Sequence, residues 1–371
     1  MSSRTKRHSK NEARLLALLV SERDPSETSE LHNLCASVDW NNVAQLAQRN
    51  GVSGLISPRV AELRETGLIP EPCARLIESN AMTVAASSLA IDIQLKRLFA
   101  LAAEHEIPLI VLKGAAVANL LYPRPHARQA GDIDLLCKEE DYTRFFDVLV
   151  EAGYVTDGER ELPSACSTLE TAFEQKFHPP DSRILIELHL DSIKLGIKPA
   201  NATSIWDRAI PVSVGDSTVQ SLGPQDLAFM LSVHLHRHGF DRLAWFKDID
   251  LLIRKYGATI DWDAVVEDAR REGATASLWL TFDALEKLLG TPVPEGLLEK
   301  VRPSFIPRII ARLIWTRKKI YTLESHTRRR AVQFSTGESW RGKLPSLLLI
   351  GRRREKLSVM AHHFKLKLTG K

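Results

Sequence analysis

Residues 131–136 have the sequence Gly-Asp-Ile-Asp-Leu-Leu, and this stretch decides which fold the chain is expected to adopt. It places Asp132 and Asp134 two residues apart inside an apolar run that predicts a β-strand. Strand side chains alternate between two faces, so both carboxylates point the same way. Like charges held side by side repel each other unless a cation lies between them, and Mg²⁺ is the usual one in phosphate chemistry. The flanking apolar residues disfavour the alternative, a pair of solvated acids at a strand end.

A second motif lies upstream, where residues 111–116 have the sequence Val-Leu-Lys-Gly-Ala-Ala. An apolar strand precedes the glycine here, and residues 114–121 predict a helix after it. Glycine lets a backbone approach a phosphate closely, and free N–H groups at a helix start attract anions. We therefore expect Gly114 and Ala115 to form a phosphate-binding turn. Lys113 at the strand end either contacts the phosphate or caps the strand in solvent.

A third carboxylate, Glu187, stands alone in the apolar strand predicted at 184–188. Such a group is costly to bury unless it is paired or binds a metal. Residues 173–178 predict the partner strand of a hairpin. Three carboxylates around one or two Mg²⁺ ions would stabilise the attacking and leaving oxygens in phosphoryl or nucleotidyl transfer, and Glu187 would help to activate the acceptor hydroxyl as ligand or base. His189 shares the face of Glu187, either as its partner or as a hydrogen-bonded core histidine.

The order of these motifs resembles the nucleotidyltransferases of the DNA polymerase beta superfamily. The matching features are Leu-Lys-Gly-Ala-Ala at 112–116, Tyr-Pro at 122–123, an Arg in the following loop, Gly-Asp-Ile-Asp-Leu-Leu at 131–136 and Ile-Glu-Leu-His at 186–189. The resemblance runs from about 107 to 190. It extends more loosely into the helical region that contains His234, His238, Trp245 and Asp248.

The resemblance implies the small mixed β-sheet of this superfamily, with a glycine turn and an Asp-x-Asp strand. It also implies transfer of a nucleoside monophosphate from an NTP such as ATP to an acceptor, with two Mg²⁺ ions and release of pyrophosphate. Asp132, Asp134 and Glu187 become the catalytic metal ligands. The expected nucleotide-binding residues are Lys113, Gly114, Ala115, Arg128 and Gly131.

The turn departs from the superfamily pattern, which usually has Gly-Ser or Gly-Gly. Here the pair is Gly114-Ala115, so a hydroxyl contact to phosphate is missing. Lys113, or Arg128 near the carboxylates, would supply the lost interaction. The alternative function is a catalytically weak or inactive protein that binds nucleotides or nucleic acid on the same fold. The resemblance gives a reaction class and leaves the acceptor open among small molecules, proteins and RNA.

The pattern as a whole predicts an α+β fold in which a polymerase-beta-like core lies between helical parts. The expected divisions are a helical N-terminal segment at 1–104, the nucleotidyltransferase core at 105–220, a helical domain at 221–320 and a basic C-terminal tail at 321–371. One long helix is expected at 73–104. Further helices are expected at 224–238, 241–256 and 262–272.

Composition narrows the class of protein. The chain has 371 residues, of which 44% are hydrophobic and 26% charged, as in globular proteins. The four cysteines are scattered, which argues against a disulfide framework or zinc site. We find no signal peptide and no apolar run long enough to span a membrane, so a cytoplasmic location is expected.

Charge is unevenly distributed along the chain. Residues 301–371 contain 18 Lys and Arg but 3 Glu and no Asp, whereas the remainder is net acidic. Such a tail typically seeks an anionic partner, either nucleic acid or anionic lipid, and a peripheral membrane protein is the third functional alternative. The alternative without a binding partner is a helix whose positive charge neutralises the acidic remainder of the chain.

The sequence leaves two roles in the helical region open, those of a histidine pair and of two acidic residues. His234 and His238 stand one helical turn apart, which fits a metal pair but better fits a structural or substrate-lining role. Trp245 is expected in the helical core. Asp248 and Asp250 are expected on a solvated helix face, with a cleft-facing position as the alternative.

Overall fold

The computed structural model describes residues 3–22, 28–156, 174–190 and 202–303. Its helices are α1 (Ser3–Val20), α2 (Thr28–Ser37), α3 (Trp40–Arg49), α4 (Ser53–Glu65), α5 (Glu71–Glu104), α6 (Ala115–Leu121), α7 (Glu139–Glu151), α8 (Ala202–Asp207), α9 (Pro224–Arg237), α10 (Leu243–Tyr256), α11 (Trp262–Arg271), α12 (Thr275–Leu289) and α13 (Leu297–Lys300). Its strands are β1 (Leu109–Val111), β2 (Asp132–Cys137), β3 (Val155–Thr156), β4 (Glu174–His178), β5 (Leu185–His189), β6 (Ile210–Val214) and β7 (Ser217–Ser221). The basic tail predicted at 321–371 lies outside the described residues.

The strands form one mixed sheet in the order β3-β4-β5-β2-β1-β7-β6. Strand β2 runs parallel to β5 and antiparallel to β1, and β1 runs parallel to β7. The predicted α+β class with a mixed sheet is therefore confirmed. The predicted hairpin is β4–β5, and a second hairpin, β6–β7, extends the other side of the sheet.

Alternation along the strands gives the sheet two differently covered faces. Ile133 and Leu135 of β2 pack in a core with α5 and α7, together with Ile186 of β5. Leu136 points the opposite way, into a core built by the N-terminal helices and by α9 to α12. Asp132 and Asp134 therefore lie on the face that α9 and α10 cover.

The larger core joins the two ends of the described chain. Helices α1 to α4 and the first turns of α5 contribute to the same hydrophobic cluster as α9 to α12. The predicted N-terminal segment and the predicted helical domain thus share one core over the sheet. None of the described helices combines the length and apolar character needed to cross a membrane.

Candidate active site

The register of β2 and β5 brings two distant carboxylates together. Asp134 lies opposite Glu187, and Asp132 lies opposite Leu185, two residues earlier in each strand. Asp134 is 1% exposed and Glu187 is 8% exposed. Two acidic side chains at one register position of neighbouring strands repel each other, so this arrangement is unfavourable for the fold alone.

An imidazole completes this group. His189 shares the face of Glu187, and its Nε2 lies 3.2 Å from Oδ1 of Asp134 and 3.8 Å from Oε2 of Glu187. Asp134, Glu187 and His189 each offer a ligand atom within 4.8 Å of the other two. The side chain of Asp132 stands outside this trio and is 37% exposed.

The Lys113 ammonium lies on the other side of the aspartate pair. It forms ion pairs with Asp134 and, at 3.4 Å, with Asp132. Burial works to lower the pKa of Lys113, but the charges of Asp134 and Asp132 outweigh it and raise that pKa. Burial likewise works to raise the pKa of Asp134, and the neighbouring Lys113 and His189 hold it well below its usual range. The lysine thus keeps its charge beside the ionised carboxylate of Asp134.

The turn between β1 and α6 requires glycine. Gly114 has φ 68° and ψ −118°, and a Cβ built there would lie 3.4 Å from the carbonyl oxygen of Asp132. A residue that carries a side chain rarely adopts this backbone conformation. Lys113, Gly114 and Gly131 line the cavity described next, whereas Ala115 does not and packs its methyl group in the core under the sheet.

These groups open into a cavity of about 450 Å³ between the sheet and helices α9 and α10. Asp132, Asp134, Glu187 and His189 line its sheet side. The opposite wall is lined by Met230, Val233, His234, Arg237, His238, Asp241, Arg242 and Trp245. A volume of this size fits a nucleotide-sized ligand.

The helical wall presents aromatic surface with a cation above it. The His234 ring lies 4.8 Å from the Trp245 ring and 4.4 Å from the His238 ring, measured between centroids. The Arg242 guanidinium lies 5.3 Å from the centroid of Trp245. Burial, helped by the charge of Lys113, holds the pKa of His234 well below its ordinary value. A neutral imidazole and an indole can stack against a planar ligand.

Comparison with known proteins identifies the family to which this site belongs. A family model described as an uncharacterised nucleotidyltransferase matches residues 36–290, which is more than half of the chain. The chain belongs to this nucleotidyltransferase family. No curated protein and no solved structure matches it. The predicted resemblance is therefore confirmed at the level of the family, and the match contains every residue of the sheet side and of the helical wall.

The side chain of Arg128 pairs with a carboxylate of the protein itself, whereas a phosphate contact was expected of it. Its Nε and Nη2 donate to the two carboxylate oxygens of Asp248 at 3.0 and 2.7 Å, and its Nη1 donates to the carbonyl of Gln129 at 3.1 Å. The Tyr122 hydroxyl donates to the same carboxylate at 2.7 Å. Arg128 lines the cavity, but this pair fastens the loop before β2 to α10.

The expectation of solvated acids on α10 is wrong. Asp248 and Asp250 are both fully buried. Asp248 is neutralised by Arg128, and Asp250 accepts from Lys247 at 2.9 Å and from Arg254 at 2.8 Å. Each acid is buried because a cation is buried with it.

Several residues of the helical wall belong to none of the motifs predicted from the sequence. Arg237, Asp241 and Arg242 follow or end α9 and border the cavity. A signal was available, because polar residues between two apolar helices are typical of a helix hairpin that carries a site. His234 and His238 were expected to be structural or substrate-lining, and both line the cavity.

The donor set fits a divalent cation. Asp134 and Glu187 are buried oxygen donors, and Oδ2 of Asp134 makes an ion pair with Lys113 but no directed hydrogen bond within the described residues. Among the described residues, Lys113 forms ion pairs with Asp132 and Asp134, and Lys176 forms one with Glu187. A divalent ion would bring further positive charge to these three carboxylates.

Proposed function

We propose that this protein is a Mg²⁺-dependent nucleotidyltransferase that moves a nucleoside monophosphate from an NTP to an acceptor hydroxyl. The observation that carries the proposal is the shared register position of Asp134 and Glu187, with Asp132 beside them at the mouth of a nucleotide-sized cavity. Membership of the nucleotidyltransferase family supports the reaction class.

Asp132, Asp134 and Glu187 would hold the metal. When bound, Mg²⁺ supplies positive charge to the reacting phosphate oxygens and to the leaving pyrophosphate. This role agrees with the oxygen donors that the three side chains offer.

The chain's own residues provide the remaining steps. The acceptor oxygen attacks the α-phosphorus, forming one P–O bond while the bond to the β-phosphate oxygen breaks and pyrophosphate leaves. Glu187 is positioned to accept the hydroxyl proton or to pass it to solvent. Lys113, as an ammonium beside Asp132, offers charge to the triphosphate.

The helical wall would hold the planar or acceptor part of the substrates. His234 and Trp245 offer aromatic faces, and Arg242 adds positive charge at the same surface. These groups orient a bound ligand and exclude water from the carboxylates, both of which favour transfer over hydrolysis.

The test measures transfer and binding separately. The full chain is incubated with radiolabelled NTPs, Mg²⁺ and panels of small-molecule, protein and RNA acceptors, and NTP binding is measured by calorimetry. We expect transfer by the wild type, loss of transfer in D134N and E187Q, and wild-type transfer in E65Q, whose carboxylate is exposed on α4. Absence of both binding and transfer in the wild type would overturn the proposal, and binding without transfer would favour the nucleotide-binding alternative.

A further inference from the structure

His189 is fully buried beside the two acids of the proposed metal site. Its Nε2 lies 3.2 Å from Oδ1 of Asp134 and 3.8 Å from Oε2 of Glu187, while its Nδ1 makes no hydrogen bond within the described residues. A buried imidazole with a structural role usually has partners at both nitrogens. His189 instead directs one nitrogen between two carboxylates.

A second buried histidine provides the contrast. His236 on α9 packs between helices, and its Nδ1 lies 2.6 Å from the hydroxyl of Ser277. That contact to a neutral hydroxyl is typical of a core histidine. The environment of His189 is different, because two acids meet at its Nε2.

The two oxygens of Asp134 have different neighbours. Its Oδ1 lies against His189, whereas its Oδ2 contacts the Lys113 ammonium. An ion bound on the Oδ1 side would therefore leave the lysine ion pair in place. Asp132 keeps its contact with Lys113 on that opposite side.

We propose that Asp134, Glu187 and His189 form a mixed oxygen and nitrogen metal site that takes a first-row transition ion, with Mn²⁺ preferred over Mg²⁺. The inference rests on the proposed metal dependence, since it shares two carboxylates with it, and it adds the nitrogen ligand and the identity of the ion. Mg²⁺ favours oxygen ligands, whereas imidazole suits transition ions.

The distances within the trio are close to those of a bound site. Two ligand atoms at about 2.1 Å from one ion lie at most about 4.2 Å apart. The Nε2 atom of His189 lies 3.2 Å from Oδ1 of Asp134 and 3.8 Å from Oε2 of Glu187, so both separations are below this limit, and all three ligand atoms lie within 4.8 Å of one another. Coordination would use the lone pair of Nε2, and the single proton of the neutral ring would then reside on Nδ1.

The experiment uses the full chain after treatment with a chelator. Mn²⁺ is added alone, its binding is followed by electron paramagnetic resonance, and coupling to nitrogen is measured by electron spin-echo envelope modulation. We expect a coordinated-imidazole signal in the wild type and a dissociation constant for Mn²⁺ at least about tenfold lower than for Mg²⁺ in competition.

Two variants show which histidine provides the nitrogen that coordinates Mn²⁺. H189N should lose the nitrogen coupling and the Mn²⁺ preference, while H238N, which alters another cavity histidine, should keep both. If H189N does not fold, as judged by circular dichroism, a nitrogen signal that persists in both H234N and H238N assigns the ligand to His189, because these are the other two histidines that line the cavity within the described residues. No Mn²⁺ binding, or bound Mn²⁺ without nitrogen coupling, overturns the inference.

The experiments distinguish a failure of the proposed nucleotidyl transfer from a failure of the proposed metal site. Nucleotidyl transfer with Mg²⁺ by a protein whose Mn²⁺ shows no nitrogen coupling leaves the proposed function intact and overturns the metal inference. Nitrogen-coupled Mn²⁺ in a protein that neither binds nor transfers NTPs supports the metal site and overturns the proposed function.

Discussion

Asp134 and Glu187 occupy the same register position of the parallel strands β2 and β5, and both are buried. Asp134 forms an ion pair with Lys113 and a 3.2 Å contact with His189, and Glu187 forms an ion pair with Lys176 at 3.8 Å. Partial neutralisation of this kind lets the chain fold while the acids remain close enough to share a cation. We therefore expect the substitution E187Q to raise the stability of the metal-free protein and to weaken the stabilisation that bound metal provides.

The substitution E187Q should stabilise the metal-free protein by about 0.2–1 kcal/mol, because it removes repulsion across the strand pair. The lost contact with half-exposed Lys176 offsets only part of this gain. Saturating metal at 100 times its dissociation constant should stabilise the wild type by about 2.7 kcal/mol and E187Q far less. Thermal unfolding with chelator and with metal checks both expectations, with E65Q as the matched control. A variant that is less stable in chelator yet still responds to metal would contradict the argument.

The buried ion pair of Arg128 and Asp248, beside the cavity, should contribute strongly to the stability of the fold. The substitution R128A leaves the buried Asp248 carboxylate without its cation, so we expect it to lower the free energy of unfolding by about 3–5 kcal/mol. The double variant R128M/D248L should recover much of this loss. The control is R97A, which breaks a solvent-exposed ion pair with Asp181 and should change stability far less than R128A does. Urea titrations provide the measurement.

A mild effect of R128A would argue against this structural role. If the variant kept wild-type stability but raised the KM for NTP, the arginine would act on the nucleotide instead, as the sequence first predicted. Comparing stability with KM in the same preparations therefore separates the two roles of Arg128.

Gly114 should tolerate no side chain. The substitution G114A forces an alanine into φ 68°, ψ −118°, a conformation that costs about 1–3 kcal/mol for a residue with a Cβ. Gly131 also lines the cavity, but a Cβ there would contact nothing within 4 Å, and its φ is negative or extended. G131A should therefore change the free energy of unfolding by less than about 0.5 kcal/mol. Equal losses in the two variants would show that backbone conformation is not the cause.

Local pattern predicted most elements that carry the candidate site. Alternation in β2 placed Asp132 and Asp134 on one face, and the isolated charge in an apolar strand marked Glu187. It did not predict that β2 and β5 are neighbours and parallel, because tertiary packing decides which strands pair over such a separation. The partners of Arg128 and Asp248, which are 120 residues apart, were hidden for the same reason.

The hairpin β6–β7 was missed although its signal was present. Gly215 and Asp216 form a two-residue connection between alternating strands, and Gly215 has φ 62°. Pro211 inside the first strand argues against a strand in the middle of a sheet. Strand β6 lies at the sheet edge, where a proline without its N–H is tolerated.

The half-buried imidazole of His234 should make stability depend on pH. Burial lowers its pKa, Lys113, His238 and Arg237 lower it further, and Asp134 works in the opposite direction. The folded protein therefore favours the neutral ring, whereas the unfolded chain takes up a proton near pH 6.5. The stabilisation from His234 is fully present above about pH 6.5 and is lost as the pH falls below it, toward the folded-state pKa.

The substitution H234N should remove this contribution to the pH dependence. We expect the free energy of unfolding of the wild type to fall more steeply than that of H234N between about pH 6.5 and pH 5, because only the wild type carries the suppressed protonation. The control H32N alters an exposed histidine on α2 and should follow the wild-type curve. Urea titrations across this pH range measure the slopes. Parallel curves for wild type and H234N would mean that the His234 ring is protonated as readily in the folded protein as in the unfolded chain.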